Sequence, residues 1–326
     1  MSESSSTSSR RQFLLYLAAS TLFTPASRAW ARQAAASKAA ESLTLRDMLN
    51  VMDFEEAARR VLPPAHWGYM ASGVDDDLTL RANVDAFKRI KLKPKRLVDI
   101  SKPDTSVDAF GARWETPIYV SAVGYQKAFH ADAELATARS ARARHHGMML
   151  SSVASTPVEA VATALGTPPW YQLYMPQSWS DTERLVKRVE QAGCPVLVWT
   201  VDLLAGRNSE TDKRFARQDS RTCTNCHPKT PGNATPYAPV AAPIFTPMFD
   251  GLELKYNPPQ ADWRFVDRLK KLTPMKLVLK GLDTAEDAAL AVSHGVDGII
   301  VSNHGGRATE TLRATIECLP EVVGAV

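Results

Sequence analysis

Gly298-Ile299-Ile300-Val301-Ser302-Asn303-His304-Gly305-Gly306-Arg307 sets a short run of β-branched residues directly before a polar cluster that contains two glycines. Apolar residues in succession, without polar alternation, predict a strand covered on both faces, as in the parallel sheet of an α/β domain. Outward along the chain the same pattern recurs at residues 117–120, 147–150, 170–174, 196–201 and 276–279. Between these runs, residues 132–145, 157–164, 180–192, 261–272 and 285–294 have helical period. Helix-start signals accompany them, such as Ser180-Asp181 ahead of Glu183 and Thr284 ahead of Asp287. Alternating strands and helices leave an open doubly wound sheet or a closed (β/α) barrel. No Gly-x-Gly-x-x-Gly follows any of the strands, which counts against a dinucleotide-binding sheet. Polar residues gather instead at or just past the strand ends: Ser151-Ser152, Gln172 and Tyr174, Thr200 and Asp202, Lys280, and Ser302-Asn303-His304. Side chains collected at the C-terminal ends of many strands are the barrel-enzyme arrangement. The expected fold is therefore α/β, a (β/α)8 TIM-barrel type with about six of the eight strands present.

A chain of 326 residues, 44% hydrophobic and 23% charged, has the composition of one large globular domain with added segments. Its net charge of +4, half of it in the first 31 residues, is too weak an imbalance to imply a nucleic-acid partner. Ser9-Arg10-Arg11-Gln12-Phe13-Leu14-Leu15, an apolar run to Phe23, then Pro25 and Ala29-Trp30-Ala31 have the layout of a secretory signal and resemble a twin-arginine address. The apolar stretch, about 11 residues, falls well short of the roughly 20 needed to cross a bilayer. The expected organisation is a signal over residues 1–31, a linker over 32–44 and the barrel over 45–326, with a periplasmic location. Residues 203–260 show no clear strand, and six prolines lie between 228 and 247. That stretch reads as a long loop over the barrel mouth.

The strand ends carry candidate chemistry. His304 is a titratable base three residues from the planar cation of Arg307, which can grip a carboxylate through two parallel hydrogen bonds. Asp202 is placed to orient and charge-stabilise an imidazolium, as the third member of a triad does. Lys280 puts an ammonium on the same rim, where it could hold negative charge developing on an electron acceptor. The structural alternatives are a polar surface turn for the histidine and arginine, and core or rim packing for Tyr69 and Tyr174.

Ser302-Asn303-His304-Gly305-Gly306-Arg307, Val278-Leu279-Lys280-Gly281 followed by Thr284-Ala285-Glu286-Asp287-Ala288, Tyr171-Gln172-Leu173-Tyr174, and Tyr69-Met70-Ala71-Ser72-Gly73 with Thr79-Leu80-Arg81-Ala82-Asn83 run in order from about residue 45 to the end. Together they resemble the FMN-dependent α-hydroxy-acid oxidase and dehydrogenase family, which includes glycolate oxidase, lactate oxidase and flavocytochrome-type lactate dehydrogenase. The resemblance implies that His304 takes a proton from a small L-2-hydroxy acid while two electrons pass to FMN. It pairs Asp202 with His304, gives the substrate carboxylate to Arg307 and substrate hydrogen bonds to Tyr69 and Tyr174, and sets Lys280 beside the reduced flavin. Ala122, Val123, Gly124, Ser151, Gln172, Thr200 and Ser302 match positions that line FMN, and Gly124 is expected to leave space beside the flavin. The implied acceptor is oxygen, a quinone or a cytochrome, and a homo-oligomer is expected.

Three departures from the family pattern stand out. Asn208, in Gly206-Arg207-Asn208-Ser209-Glu210, falls where members carry a second arginine. Ala308-Thr309-Glu310 replaces Gln-Leu-Asp, which removes an acidic group from its expected place. The sequence to Val326 shows neither the Asp-Gly-Gly-x-Arg nor the Gly-Arg strand that cradles the FMN phosphate. A chain of six strands would leave two unpaired edges, so the competing reading is a truncated remnant or binding protein unable to hold FMN. Cys223-Thr224-Asn225-Cys226-His227 matches the haem c attachment pattern, which would make a haem-linked electron-transfer protein. A disulfide, free thiols or a metal half-site are the other readings of Cys223, Cys226 and His227. Cys194 and Cys318 lie in apolar contexts and read as small buried hydrophobes.

Overall fold

A computed structural model describes residues 45–203, 207–221, 246–252 and 255–326. The expected signal and linker, the Cys223-x-x-Cys226-His227 motif and most of the proline-rich stretch lie outside the described residues. Two compact units are distinguished, Met1–Val61 and Leu62–Val326. In the first, helix α1 (Asp53–Val61) begins where the Asp53 carboxylate accepts the backbone N–H groups of Leu49 and Asn50 at 2.7 and 3.0 Å. Acidic residues fill its first turn and Arg59 and Arg60 its last, in line with the helix dipole.

The second unit is built on a parallel sheet of β3 (Tyr119–Val120), β4 (Gly147–Ser151), β5 (Trp170–Leu173), β6 (Val196–Thr200), β7 (Lys276–Leu282) and β8 (Gly298–Val301), hydrogen-bonded in that order. The six runs expected from sequence are these six strands. They form a curled half-barrel, and among the described residues no strand pairs with the outer edge of β3 or β8. Side chains alternate as the strand period requires. Met149, Trp170, Val196, Val198 and Val278 share one face and form the inner cluster. Leu150, Tyr171, Leu173, Leu197, Trp199, Leu277 and Leu279 face the other way and pack in the larger cluster with the helices. Both faces are covered, which is why these runs are continuously apolar.

Helices α4 (Ala133–Ala143), α5 (Val158–Leu165), α6 (Trp179–Gln191), α8 (Trp263–Leu272) and α9 (Ala285–Ser293) connect the strands, and these are the five expected. Thr284 caps α9 through Asp287 N at 3.3 Å, as its sequence signal implied, whereas α6 starts earlier than expected, with Ser178 as its cap. Six elements carried no recognised signal: the hairpin strands β1 (Val107–Ala109) and β2 (Ala112–Trp114), and helices α2 (Pro64–Ala71), α3 (Leu78–Asp85), α7 (Glu210–Ala216) and α10 (Thr315–Val323). Helix α7 corrects the reading of 203–260 as loop throughout. The hairpin covers the N-terminal end of the inner face. The Trp114 ring lies tilted against Trp170 with centroids 4.8 Å apart, and any side chain at Gly147 or Gly298, the first residues of β4 and β8, would strike Trp114 or Phe110. With aromatics closing that end, the polar residues are left to the other.

Candidate active site

Two residues beyond the apolar inner cluster, the same strand face turns polar. Parity places Ser151 after Met149, Gln172 after Trp170, Thr200 after Val198 and Lys280 after Val278. Ser151 stands opposite Gln172 in the strand register, and Thr200 opposite Lys280. The row is hydrogen-bonded along its length. Ser151 Oγ donates to Gln172 Oε1 and Gln172 Nε2 donates to Thr200 Oγ1, both at 3.0 Å, which fixes the amide's orientation. All three side chains are buried. Burial also pushes the Lys280 ammonium below its usual range, against the opposing pull of Asp202, whose Oδ2 is 3.8 Å away.

Beyond β8 the backbone enters the left-handed region at three consecutive residues, His304, Gly305 and Gly306, with φ of 59°, 66° and 75°. That turn directs the imidazole back toward β6. His304 Nδ1 lies 2.7 Å from Asp202 Oδ1 and Nε2 lies 3.2 Å from the Tyr174 hydroxyl. A carboxylate accepts only, so Nδ1 carries the hydrogen and Nε2 keeps the lone pair. Burial pushes the His304 pKa below its ordinary value, with the Asp202 hydrogen bond pulling up and Lys280 pushing further down. Burial raises the phenols of Tyr174 and Tyr69 above their ordinary value, so both are neutral hydrogen-bond donors near neutrality.

Arg307 is held rather than free. Its Nε donates to Ser72 O at 2.8 Å and its Nη2 to Met70 O, carbonyls at the C-terminal end of α2 where a cation is favoured. Its Cζ lies 5.9 Å from the Tyr69 ring centroid. The structure thus brings His304, Asp202, Arg307, Tyr69, Tyr174 and Lys280 to one end of the sheet. Ser302 lies under them and accepts the His304 N–H through Oγ at 3.0 Å. Ala122 packs against the inner cluster, and Val123 is exposed and accepts Gln126 Nε2 through its carbonyl.

Asn208, where the family carries its second arginine, bonds Asp75, Glu210 and Lys213. Arg207, one residue earlier, is exposed, and its charge is felt at Tyr69, Tyr174, His304 and Arg307. Glu310 Oε1 accepts the N–H of Leu78, the first residue of α3, at 2.5 Å. One expectation needs correction: Gly124 does not leave space, because a Cβ there would lie 2.5 Å from Val153 Cγ2. Sequence reasoning missed Arg207, Tyr125 and Tyr256. Tyr256 stacks on Tyr174 at 5.3 Å, and Tyr125 is 6.0 Å from Tyr69, while Tyr174 alone of the four is in contact with the histidine among the described residues. Asp212 on α7 was missed too. It is buried with Oδ1 unpartnered among the described residues, and burial raises its pKa against Arg207 and Arg307.

The pattern of the FMN-dependent dehydrogenase family matches residues 58–326. The chain belongs to that family. It is 37% identical over 298 residues to glycolate oxidase 3 of Arabidopsis thaliana, a match covering 86% of this chain and 75% of that protein. It is 34% identical to the L-lactate dehydrogenase (cytochrome) of Wickerhamomyces anomalus, over 86% of this chain and 47% of that protein. A crystal structure of mandelate oxidase superposes with a TM-score of 0.72 at 34% identity, covering 86% of this chain and 76% of that one.

The family cofactor is FMN, and the residues present fit it. A flavin ring offers a donor and acceptor edge, and the buried row Ser151, Gln172, Thr200 offers matching polar groups where a barrel core would otherwise be apolar. Next to that row, Lys280 is a buried cation facing an Asp202 oxygen that makes no hydrogen bond among the described residues. An ammonium so placed suits a group that gains negative charge.

Proposed function

We propose that this chain oxidises a small L-2-hydroxy acid, lactate-like or glycolate-like, to the corresponding 2-oxo acid, with His304 as the base. The observation that carries the reading is the chain of contacts Asp202, His304, Tyr174 with two arginines beside it. FMN, when bound, supplies the two-electron acceptor. Converting CH–OH to C=O releases two electrons and two protons; His304 Nε2, the unprotonated basic atom at the centre of the site, would take one proton, and the two electrons with the other proton would pass to FMN. Asp202 holds the other ring nitrogen and stabilises the imidazolium once the proton arrives.

Arg307 supplies its remaining guanidinium donors to the substrate carboxylate, with its angle set by Ser72 O and Met70 O. Arg207 adds the second positive charge. Tyr174 and Tyr69 donate to substrate oxygens, and Ser151, Gln172, Thr200, Ser302 and the backbone of residues 122–124 hold the flavin. Tyr125, Tyr174 and Tyr256 present aromatic walls, which favours an uncharged substrate side chain. The relatives named glycolate oxidase, L-lactate dehydrogenase and mandelate oxidase support the same substrate class. The Ser9-Arg10-Arg11 segment supports export to the periplasm, which cell fractionation of the wild type beside R10K/R11K would test.

The test of the reaction is anaerobic reduction of the FMN-loaded protein. Lactate, glycolate or mandelate should bleach the oxidised flavin's visible absorbance, and His304→Ala should slow that bleaching about 100- to 10,000-fold. Bleaching at equal rates in the two proteins would refute the reading.

A further inference from the structure

We propose that Asn83, on α3, is a positioning residue that fixes the His304 turn through a reciprocal amide pair with Asn303. The inference rests on His304 being the base. Asn83 Nδ2 donates to Asn303 Oδ1 and Asn303 Nδ2 donates back to Asn83 Oδ1, both at 2.9 Å. Asn303 is buried, and each of its amide atoms has a second partner. Its Oδ1 also accepts Gly306 N at 2.9 Å, and its Nδ2 also donates to Arg313 O at 2.9 Å. Asn83 Oδ1 accepts Thr315 N as well, at 3.3 Å. The Gly306 N–H, shared between Asn303 Oδ1 and the Asn303 carbonyl at 3.1 Å, closes the turn that carries His304 and Gly305, with His304 at a φ of 59° that is uncommon for a non-glycine residue.

The pair works only with an amide at position 83. A carboxylate there has no donor for Asn303 Oδ1. Turning the Asn303 amide over to offer its NH2 would set that group against the Gly306 N–H and its oxygen against Arg313 O. Both alternatives strip hydrogen bonds from a buried group. Helix α3 and the turn are also pressed together at Gly306, where a side chain would strike the Leu80 backbone, and Gly306 O accepts Val74 N at 2.9 Å. Arg307 is secured separately by Ser72 O and Met70 O. Loss of the amide pair therefore disturbs the base and spares the carboxylate clamp.

Asn83→Asp, nearly isosteric, and Asn83→Ala test this in the FMN-loaded enzyme. In both, kcat should fall about 10- to 100-fold, the penalty of a slightly misplaced catalytic group. KM for the hydroxy acid and the Kd of oxalate, an unreactive carboxylate, should change less than about threefold. The isotope effect on kcat from α-deuterated substrate should rise as proton removal becomes limiting. In the apoprotein, hydrogen exchange at the Gly306 amide should quicken in both variants, a readout independent of turnover. An unchanged kcat with unchanged Gly306 exchange would overturn the proposal, and so would kcat, KM and flavin content falling together. Failure of His304→Ala to slow flavin reduction would instead remove the underlying reading.

Discussion

His304 Nδ1 and Asp202 Oδ1 meet at 2.7 Å although β7 lies between the strands that carry them, and Lys280 of that intervening strand reaches the other Asp202 oxygen at 3.8 Å. One carboxylate therefore serves two cations from two neighbouring strands. Its charge supports an imidazolium and restrains an ammonium, while Lys280 works against protonation of His304. The base is thus kept neutral at rest and helped only when it accepts a proton.

The pH dependence follows from those directions. His304 is active unprotonated, and burial lowers its pKa, so kcat/KM should hold steady through neutrality and fall only at pH below the ordinary imidazole value of about 6.5. Asp202 raises that pKa, so Asp202→Asn should move the acid limb to still lower pH. The same change removes stabilisation of the imidazolium, and kcat should fall about 100-fold or more. Initial-rate pH profiles of the two proteins check this, and an acid limb that moves upward in Asp202→Asn would refute the assignment.

The arginine pair makes a second prediction. Arg207 acts on His304, Tyr69, Tyr174 and Arg307, whereas Asn208 faces Asp75, Glu210 and Lys213. Arg207→Ala should raise KM for a hydroxy acid about tenfold or more, the worth of a charge-assisted contact, and Asn208→Ala should leave KM within about twofold. Arg307→Lys should also raise KM about tenfold or more, because a single nitrogen cannot meet both Ser72 O and Met70 O and also offer the planar, paired donors that grip a carboxylate. Steady-state kinetics on the three variants separate these outcomes. Equal effects from Arg207→Ala and Asn208→Ala would refute the placement.

The six strands and the residues at their ends were legible because each rests on a local signal, an apolar run followed by a polar cluster. Helices α2, α3 and α7 were not, since Gly68 and Tyr69 on α2 and Asp212 on α7 make sense only once those segments pack together. Arg207 was missed for a related reason. Its neighbour Asn208 fits the family spacing, and nothing local marks Arg207 as the cation whose charge reaches the histidine. Tyr125 and Tyr256 belong to no periodic run, so nothing in the chain marks them until their rings meet Tyr69 and Tyr174. The contact of Glu310 with the first N–H of α3 was not legible because its partner lies 232 residues away in sequence.

Gly124 gives the last prediction. Read as a family position it clears room for a flavin, but in the structure the missing side chain makes room for Val153, whose Cγ2 would be 2.5 Å from any Cβ. Val153 is buried and β-branched, so it has few rotamers to retreat into. Its carbonyl also accepts Tyr125 N at 2.9 Å, which ties together the two loops that would have to separate. Gly124→Ala should therefore destabilise the apoprotein by about 1–3 kcal/mol through overpacking, a fall in Tm of roughly 2–12 °C for a unit of this size. Val153→Ala in the same chain should recover part of that loss, giving a coupling of about 0.5–3 kcal/mol between the two sites. Thermal unfolding of the four proteins of this cycle, without flavin, measures it. If Gly124→Ala left Tm unchanged and weakened only FMN binding, the glycine would belong to the flavin and not to Val153.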